Sequence, residues 1–122
     1  FVICIFIFSP TGIVGQKEQI DLTLDELITL YSNKYGVDEK LARCIIQAES
    51  SFKPDATNTK AKRGIDKGFW QINSFYWEEG MSKQNFDINI PNENLEAGFY
   101  LLHTHGTKLW NWSKTSWSKC YN

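Results

Sequence analysis

From residue 22 onward, apolar positions recur mostly three and four residues apart, the period of helices that bury one side. Leu24, Leu27, Ile28 and Tyr31 form the first such stripe; Thr23 and Glu26 before it have the spacing of a capping box, and Gly36 supplies a stop. Asp38 can cap a second helix, in which Leu41, Ala42, Cys44, Ile45, Ala48 and Phe52 share one face until Pro54 ends the run. Residues 53–68 lose all periodicity and collect Pro54, Asp55, Asn58, Lys60, Lys62, Arg63, Gly64 and Asp66, as a long surface loop would. Residues 69–77 are aromatic-rich and too short to assign as strand or turn. A third helix is expected to start after Pro91 and Asn92, to carry Leu95, Phe99, Leu101 and Leu102, and to stop at Gly106. A last helical turn is expected within residues 110–122. The pattern predicts one mainly α domain, α+β at most, with a long loop or short β-hairpin.

Residues 1–8 are wholly apolar, and no charge appears before Lys17. Eight residues are too few to span a bilayer. They have the character of the hydrophobic region of a secretory signal peptide, with Ile13 and Gly15 at the two positions a signal peptidase reads. The expected division is therefore a truncated signal peptide over residues 1–15 and a single domain over residues 16–122, itself truncated at its C-terminus. A buried strand is the alternative reading of residues 1–8. On the leader reading the mature chain is exported, has no stable membrane span, and keeps Cys44 and Cys120. Those two either form a disulfide or remain buried thiols.

A net charge of -1 among 122 residues leaves no basic field to hold nucleic acid. Two His and three Cys, without paired-ligand spacing, predict no metal and no cofactor. The five Trp, five Tyr and eight Phe suit a core and equally suit sugar faces in a groove.

Chemistry concentrates on the second helix. At about 100° per residue, Leu41, Ile45 and Phe52 fall within roughly 40° of one another and Glu49 near 80°, inside the apolar arc. Glu39, Lys40, Arg43, Gln47, Ser50 and Ser51 take the other side. A carboxyl turned inward loses water, and loss of water disfavours its charged form, so Glu49 is expected to hold a proton near neutral pH as a general acid does. An inward Glu satisfied by a buried Arg or by backbone donors fits the same helical arithmetic.

The text that follows Glu49 carries a resemblance. Glu49-Ser50-Ser51-Phe52, a polar loop, and Gly68-Phe69-Trp70-Gln71-Ile72-Asn73 resemble the ESxF and G-x-x-Q-hydrophobic pattern of the soluble lytic transglycosylase (SLT) family. Downstream, Pro91, Asn94, Leu95, Ala97, Gly98 and residues 100–102 are similar to that family's P-x-x-N-hydrophobic-x-A-G-x-x-L-L helix. Tyr121 and Asn122 stand where it has A-Y-N, with Cys120 in place of the Ala. The Trp-rich stretch before Cys120 departs from the pattern. The likeness covers roughly residues 24–122. Asp66-Lys67-Gly68 through Ser74 also resembles the D-x-G-x-x-Q-I-N-S stretch of C-type lysozymes, and the interval from Glu49 to Asp66 is theirs too. Three cysteines cannot build the four-disulfide framework of a C-type lysozyme, so the SLT family is the closer likeness.

The resemblance implies a lysozyme-like fold with a substrate groove, peptidoglycan glycan strands as the partner, and a monomeric protein of the periplasm, envelope or exterior. It implies cleavage of the β-1,4 bond between N-acetylmuramic acid and N-acetylglucosamine, with Glu49 as proton donor and then base. In the lytic route the muramic 6-hydroxyl attacks the anomeric carbon and leaves a 1,6-anhydro end. In the alternative, hydrolytic route Asp66 is a second catalytic carboxylate and water completes the reaction. A further alternative is an inactive glycan-binding or structural module. Gln71 and Asn73 are expected to line the groove, Ser50 to orient Glu49, and Tyr121 and Tyr100 to hydrogen-bond it. Phe69, Trp70, Tyr76 and Trp77 are candidates for stacking on sugars, with core packing as the competing role.

Overall fold

The computed structural model describes residues 2–6 and 17–122. Strands β1 (Val2–Phe6) and β2 (Lys17–Asp21) pair antiparallel, from Val2 opposite Asp21 to Phe6 opposite Lys17. The expected cleavage point after Gly15 lies outside the described residues. Helices α1 (Leu24–Tyr35) and α2 (Glu39–Ser50) follow, then three two-residue strands, β3 (Thr57–Asn58), β4 (Asp66–Lys67) and β5 (Ile72–Asn73). The chain continues through α3 (Ser74–Lys83), α4 (Pro91–His105), a 3-10 helix (Lys108–Ser113) and α5 (Lys114–Tyr121). No helix among the described residues is long and apolar enough to cross a membrane.

Both halves of the expected capping box form at α1. The Glu26 N–H donates to Thr23 Oγ1 and the Thr23 N–H to Glu26 Oε1, each at 3.1 Å. Gly36 closes the helix at φ 64°, a left-handed conformation that a residue without a Cβ adopts freely. Asp38 caps α2 through the Leu41 N–H at 3.0 Å. Helix α2 ends at Ser50, earlier than Pro54 alone predicts, because Ser51 and Phe52 both turn to positive φ, 52° and 61°. Helix α4 starts at Pro91, where the missing N–H is no loss.

The unassigned stretch resolves into β5 and α3. Asn73 is the reason: its side-chain oxygen accepts from the Phe75 and Tyr76 N–H groups at 2.9 and 3.2 Å and starts α3. Within residues 53–68, the expected loop is pinned by β3, β4 and β5, which pair antiparallel in the order β3-β4-β5. The C-terminal stretch is more helical than expected, with the 3-10 helix and α5 in place of a single turn.

Helix α2 is central: α1, α5 and the 3-10 helix pack against it, and α4 covers α1 from another side. The core unites Leu27 and Ile28 of α1, Ile45 and Ile46 of α2, Phe69 and Trp70 of the loop, Leu95, Phe99 and Leu101 of α4, and Trp110. Cys44 on α2 and Cys120 on α5 are joined by a disulfide with Cα atoms 5.6 Å apart, which decides between the two cysteine alternatives. Their separation of 76 residues makes the bridge worth about 4.5 kcal/mol through restriction of the unfolded chain.

Trp70 is fully buried and stacks edge-on against Phe99 at 5.1 Å between ring centroids. It passes so close to Gly98 of α4 that a Cβ there would run into the indole. Gly98→Ala is therefore expected to destabilise the fold by about 3 kcal/mol, the upper end of overpacking losses, measured by denaturant unfolding. A loss under about 1 kcal/mol would mean that the indole shifts freely, against this packing.

Candidate active site

Glu49 sits in the last turn of α2, half-buried, on the floor of a cleft between the loop of residues 53–73 and the 3-10 helix. One section of the cleft, about 630 Å³, runs under Trp112 and Tyr76; a second, about 570 Å³, runs along Ser50 and Lys53. The two sections share Glu49, Asn58, Asp66 and Gln71, so the acid occupies the middle of an extended groove. Withdrawal from water pushes the Glu49 carboxyl up to about 7, a hydrogen bond with Ser113 pulls it part of the way back, and the negative field of Asp66 raises it again. Glu49 thus faces the buried side of α2, and its carboxyl is shifted toward the protonated form while bordering an open cleft.

Asp66 is held by the small sheet. In register, Asn58, Asp66 and Asn73 lie opposite one another across β3, β4 and β5. The Asn58 side-chain amide donates to Asp66 Oδ2 at 3.1 Å and the Asn73 amide to Oδ1 at 2.9 Å, one amide for each oxygen. Side chains that share a row across antiparallel strands stand close enough for such pairing. This row fixes the Asp66 carboxylate beside Glu49, where its negative field is felt.

The other expected site residues divide. Gln71 lines both sections; its amide nitrogen donates to the Ala56 and Gly68 carbonyls, each at 2.9 Å, and its φ of 52° is unusual for a residue with a side chain. Asn73 borders the cleft, but both ends of its amide are committed, to Arg63 O, Asp66 and the start of α3. Ser50 donates to Ile46 O at 3.1 Å within its own helix, so its hydroxyl serves the backbone.

Three expectations are corrected. Phe69 and Trp70, candidates for sugar stacking, are 1% and 0% exposed, and the Trp70 indole N–H donates to Leu95 O at 2.9 Å; both belong to the core. Tyr121, expected beside Glu49, donates instead to Asp38 Oδ2 at 2.9 Å, at the opposite end of α2. Tyr100 packs against Tyr35 and Phe86 and borders neither section. A helix of twelve residues spans about 17 Å, which separates Asp38 from Glu49 too far for one tyrosine to serve both.

Ser113, Asn58 and Trp112 were not singled out in the sequence. Ser113 and Trp112 arrive from the 3-10 helix near the C-terminus, and nothing local in that stretch marks a partner for a carboxyl on α2. The signal available for Asn58 is its place eight residues before Asp66 in a stretch that folds into a hairpin. Among the described residues no group of three or more His, Cys, Asp or Glu is disposed to hold a metal ion.

A carboxyl whose folded value, about 7, lies above its ordinary 4.5 binds its proton more tightly in the folded chain. Its ionisation then opposes folding: the penalty is absent below the ordinary value, accrues as pH rises from there to about 7, and is complete above. Glu49→Gln removes it. The melting temperature of the variant is expected to exceed that of the parent at about pH 8 and to approach it at about pH 4. The same gap at both values, by calorimetry, would contradict the burial argument.

Comparison with known proteins fits this arrangement. The Transglycosylase SLT domain family matches residues 26–122. A lysozyme of Bombyx mori is 34% identical over 65 residues, 51% of this chain and 47% of that protein. Lysozyme c-1 of Anopheles gambiae is 32% identical over 75 residues, 55% of this chain and 54% of that protein. The chain thus spans about half the length of these curated relatives. No solved structure is a significant match. Among the described residues, five α-helices with a small antiparallel sheet beside the cleft make a mainly α, lysozyme-like fold. With nearly all of that fold inside the matched span, the chain belongs to the Transglycosylase SLT domain family.

Proposed function

We propose that this chain cleaves the β-1,4 bond between N-acetylmuramic acid and N-acetylglucosamine in peptidoglycan, as a lytic transglycosylase that leaves 1,6-anhydromuramic ends. The observation that carries the reading is Glu49, a carboxyl raised to about 7 at the centre of an open groove. Near neutral pH half of the molecules hold the proton there, which suits a group that must donate and then accept within one turnover. Glu49 gives its proton to the glycosidic oxygen as that bond breaks and positive charge builds at the anomeric carbon. The N-acetyl group of the substrate can share this charge. The Glu49 carboxylate then takes the proton of the muramic 6-hydroxyl, whose oxygen bonds to the anomeric carbon, and the acid is regenerated. Membership of the SLT domain family supports this ending.

Asp66 favours a second reading. An anion held by two amides beside a raised acid is the pairing for which lysozyme is the type case, and it would stabilise or attack the cationic carbon until water completes hydrolysis. The disulfide suits a protein that works outside a reducing cytosol, in line with export to the periplasm, envelope or exterior. We take the working unit to be a monomer.

Purified cell-wall sacculi test the reading. Loss of turbidity is expected with the parent chain, and Glu49→Gln is expected to slow it at least about a hundredfold while the variant still melts cooperatively. The parent's rate is expected to fall as pH rises through about 7, since only the protonated acid starts the reaction. Mass spectrometry of the released fragments reports the ending. Anhydro ends, with little effect of Asp66→Asn, are expected; reducing ends and a large loss in Asp66→Asn would replace the lytic route with hydrolysis. Binding to sacculi without release of any fragment would make the chain a glycan-binding module.

A further inference from the structure

Three tryptophans follow one another in the C-terminal stretch, and two of them are core residues. Trp110 is 3% exposed and its indole N–H donates to Trp70 O at 2.9 Å; Trp117 is 6% exposed and its indole N–H donates to Trp110 O at 2.9 Å. Between them Trp112 is turned fully outward, 101% exposed, on the 3-10 helix. A single exposed apolar side chain is ordinary on a protein surface. Two further facts separate this one from an ordinary case. Trp112 borders the 630 Å³ section that also contains Glu49 and Asp66, and the backbone on both sides of it is anchored, by buried Trp110 and by Ser113, whose hydroxyl donates to Trp110 O at 3.2 Å. The indole is therefore a flat apolar surface on an anchored backbone beside the acid, with its full area in water.

We propose that Trp112 is a sugar-stacking platform, which grips a ring of the glycan strand along the arm of the cleft walled by the 3-10 helix. The face of a pyranose presents C–H groups that pack flat on an aromatic ring, while its rim of hydroxyl and N-acetyl groups needs hydrogen-bond partners. Both are available here: Trp112 and Tyr76, the latter 63% exposed, border the section, and Gln71 and Asn58 line the same space with the Gln71 side-chain oxygen and one Asn58 amide hydrogen uncommitted among the described residues. A Trp side chain has only two torsions to order on binding, so a large contact is made at a small entropic cost. The choice of glycan as occupant rests on the functional reading above; the platform itself rests on exposure, an anchored backbone and place in the cleft.

The test is binding, kept apart from cleavage by working in the Glu49→Gln background. Titration calorimetry with an N-acetylglucosamine tetramer compares Glu49→Gln alone, with Trp112→Ala and with Trp112→Tyr. The Ala variant is expected to bind about tenfold more weakly and the Tyr variant to recover most of that loss. All three are expected to melt together, because the side chain touches no core. In the cleaving enzyme Trp112→Ala is expected to raise KM on long glycan strands and to leave kcat near that of the parent. Affinity of the Ala variant within twofold of its parent, equal weakness of Ala and Tyr, or no tetramer binding by any variant would each overturn the proposal. Trp112-dependent binding by a protein that never cuts sacculi would keep the platform and sink the glycosidase reading; cutting that ignores Trp112 would do the reverse.

Discussion

The site hangs on the burial of one indole. Trp70 lies where the sheet region meets the helices, and its neighbours come from every part of the chain that builds the cleft. Its ring N–H reaches Leu95 O on α4, its ring meets Phe99 at a near-perpendicular angle, and its own carbonyl accepts the indole N–H of Trp110. Asn94, 1% exposed, ties the same corner down by donating to Lys67 O and Ile88 O, each at 2.9 Å. A buried amide with both donated bonds made fixes β4 against α4 more tightly than apolar contact alone. One side of Trp70 therefore sets the height of the sheet and the other the height of the 3-10 helix. The gap left between those two walls is the groove, with α2 as its floor.

That arrangement gives two carboxyls opposite surroundings at close quarters. Glu49 stands at the end of a helix packed into the core, where water is scarce. Asp66 stands in a row of amides, each of its oxygens accepting one amide hydrogen. Their difference arises from secondary structure: a helix offers an inward side chain no backbone donors, whereas a three-stranded row supplies partners from both neighbours. Each carboxyl then reinforces the other's role, since the fixed charge of Asp66 makes ionisation of Glu49 harder.

How far this could be read in advance depended on whether the determining interaction is local. Helices α1, α2 and α4 were legible because caps and apolar stripes lie within one or two turns. The inward turn of Glu49 was legible for the same reason. Helix α3 was not, since Met81 is its one buried residue and its starting signal, Asn73, resembled a binding residue. Two-residue strands show no alternation, so the sheet is visible only through the side-chain row across it. Phe69 and Trp70 were ambiguous because aromatic rings suit a core and a groove equally. Tyr121 misled because a motif records order along the chain, and where α5 crosses α2 is settled by the Cys44–Cys120 bridge and the packing around it.

That bridge has a consequence for the chain as a polymer. The exposed basic stretch around Lys60, Lys62 and Arg63 is where a trypsin-like protease would cut first, and Cys44 and Cys120 lie on opposite sides of it. A molecule nicked there remains one covalent object, its halves still tethered through α2 and α5, and it separates into two pieces on a gel only after reduction. The groove wall bearing Asp66 can thus be severed from the helix bearing Glu49 along the backbone without the two parts drifting away from each other.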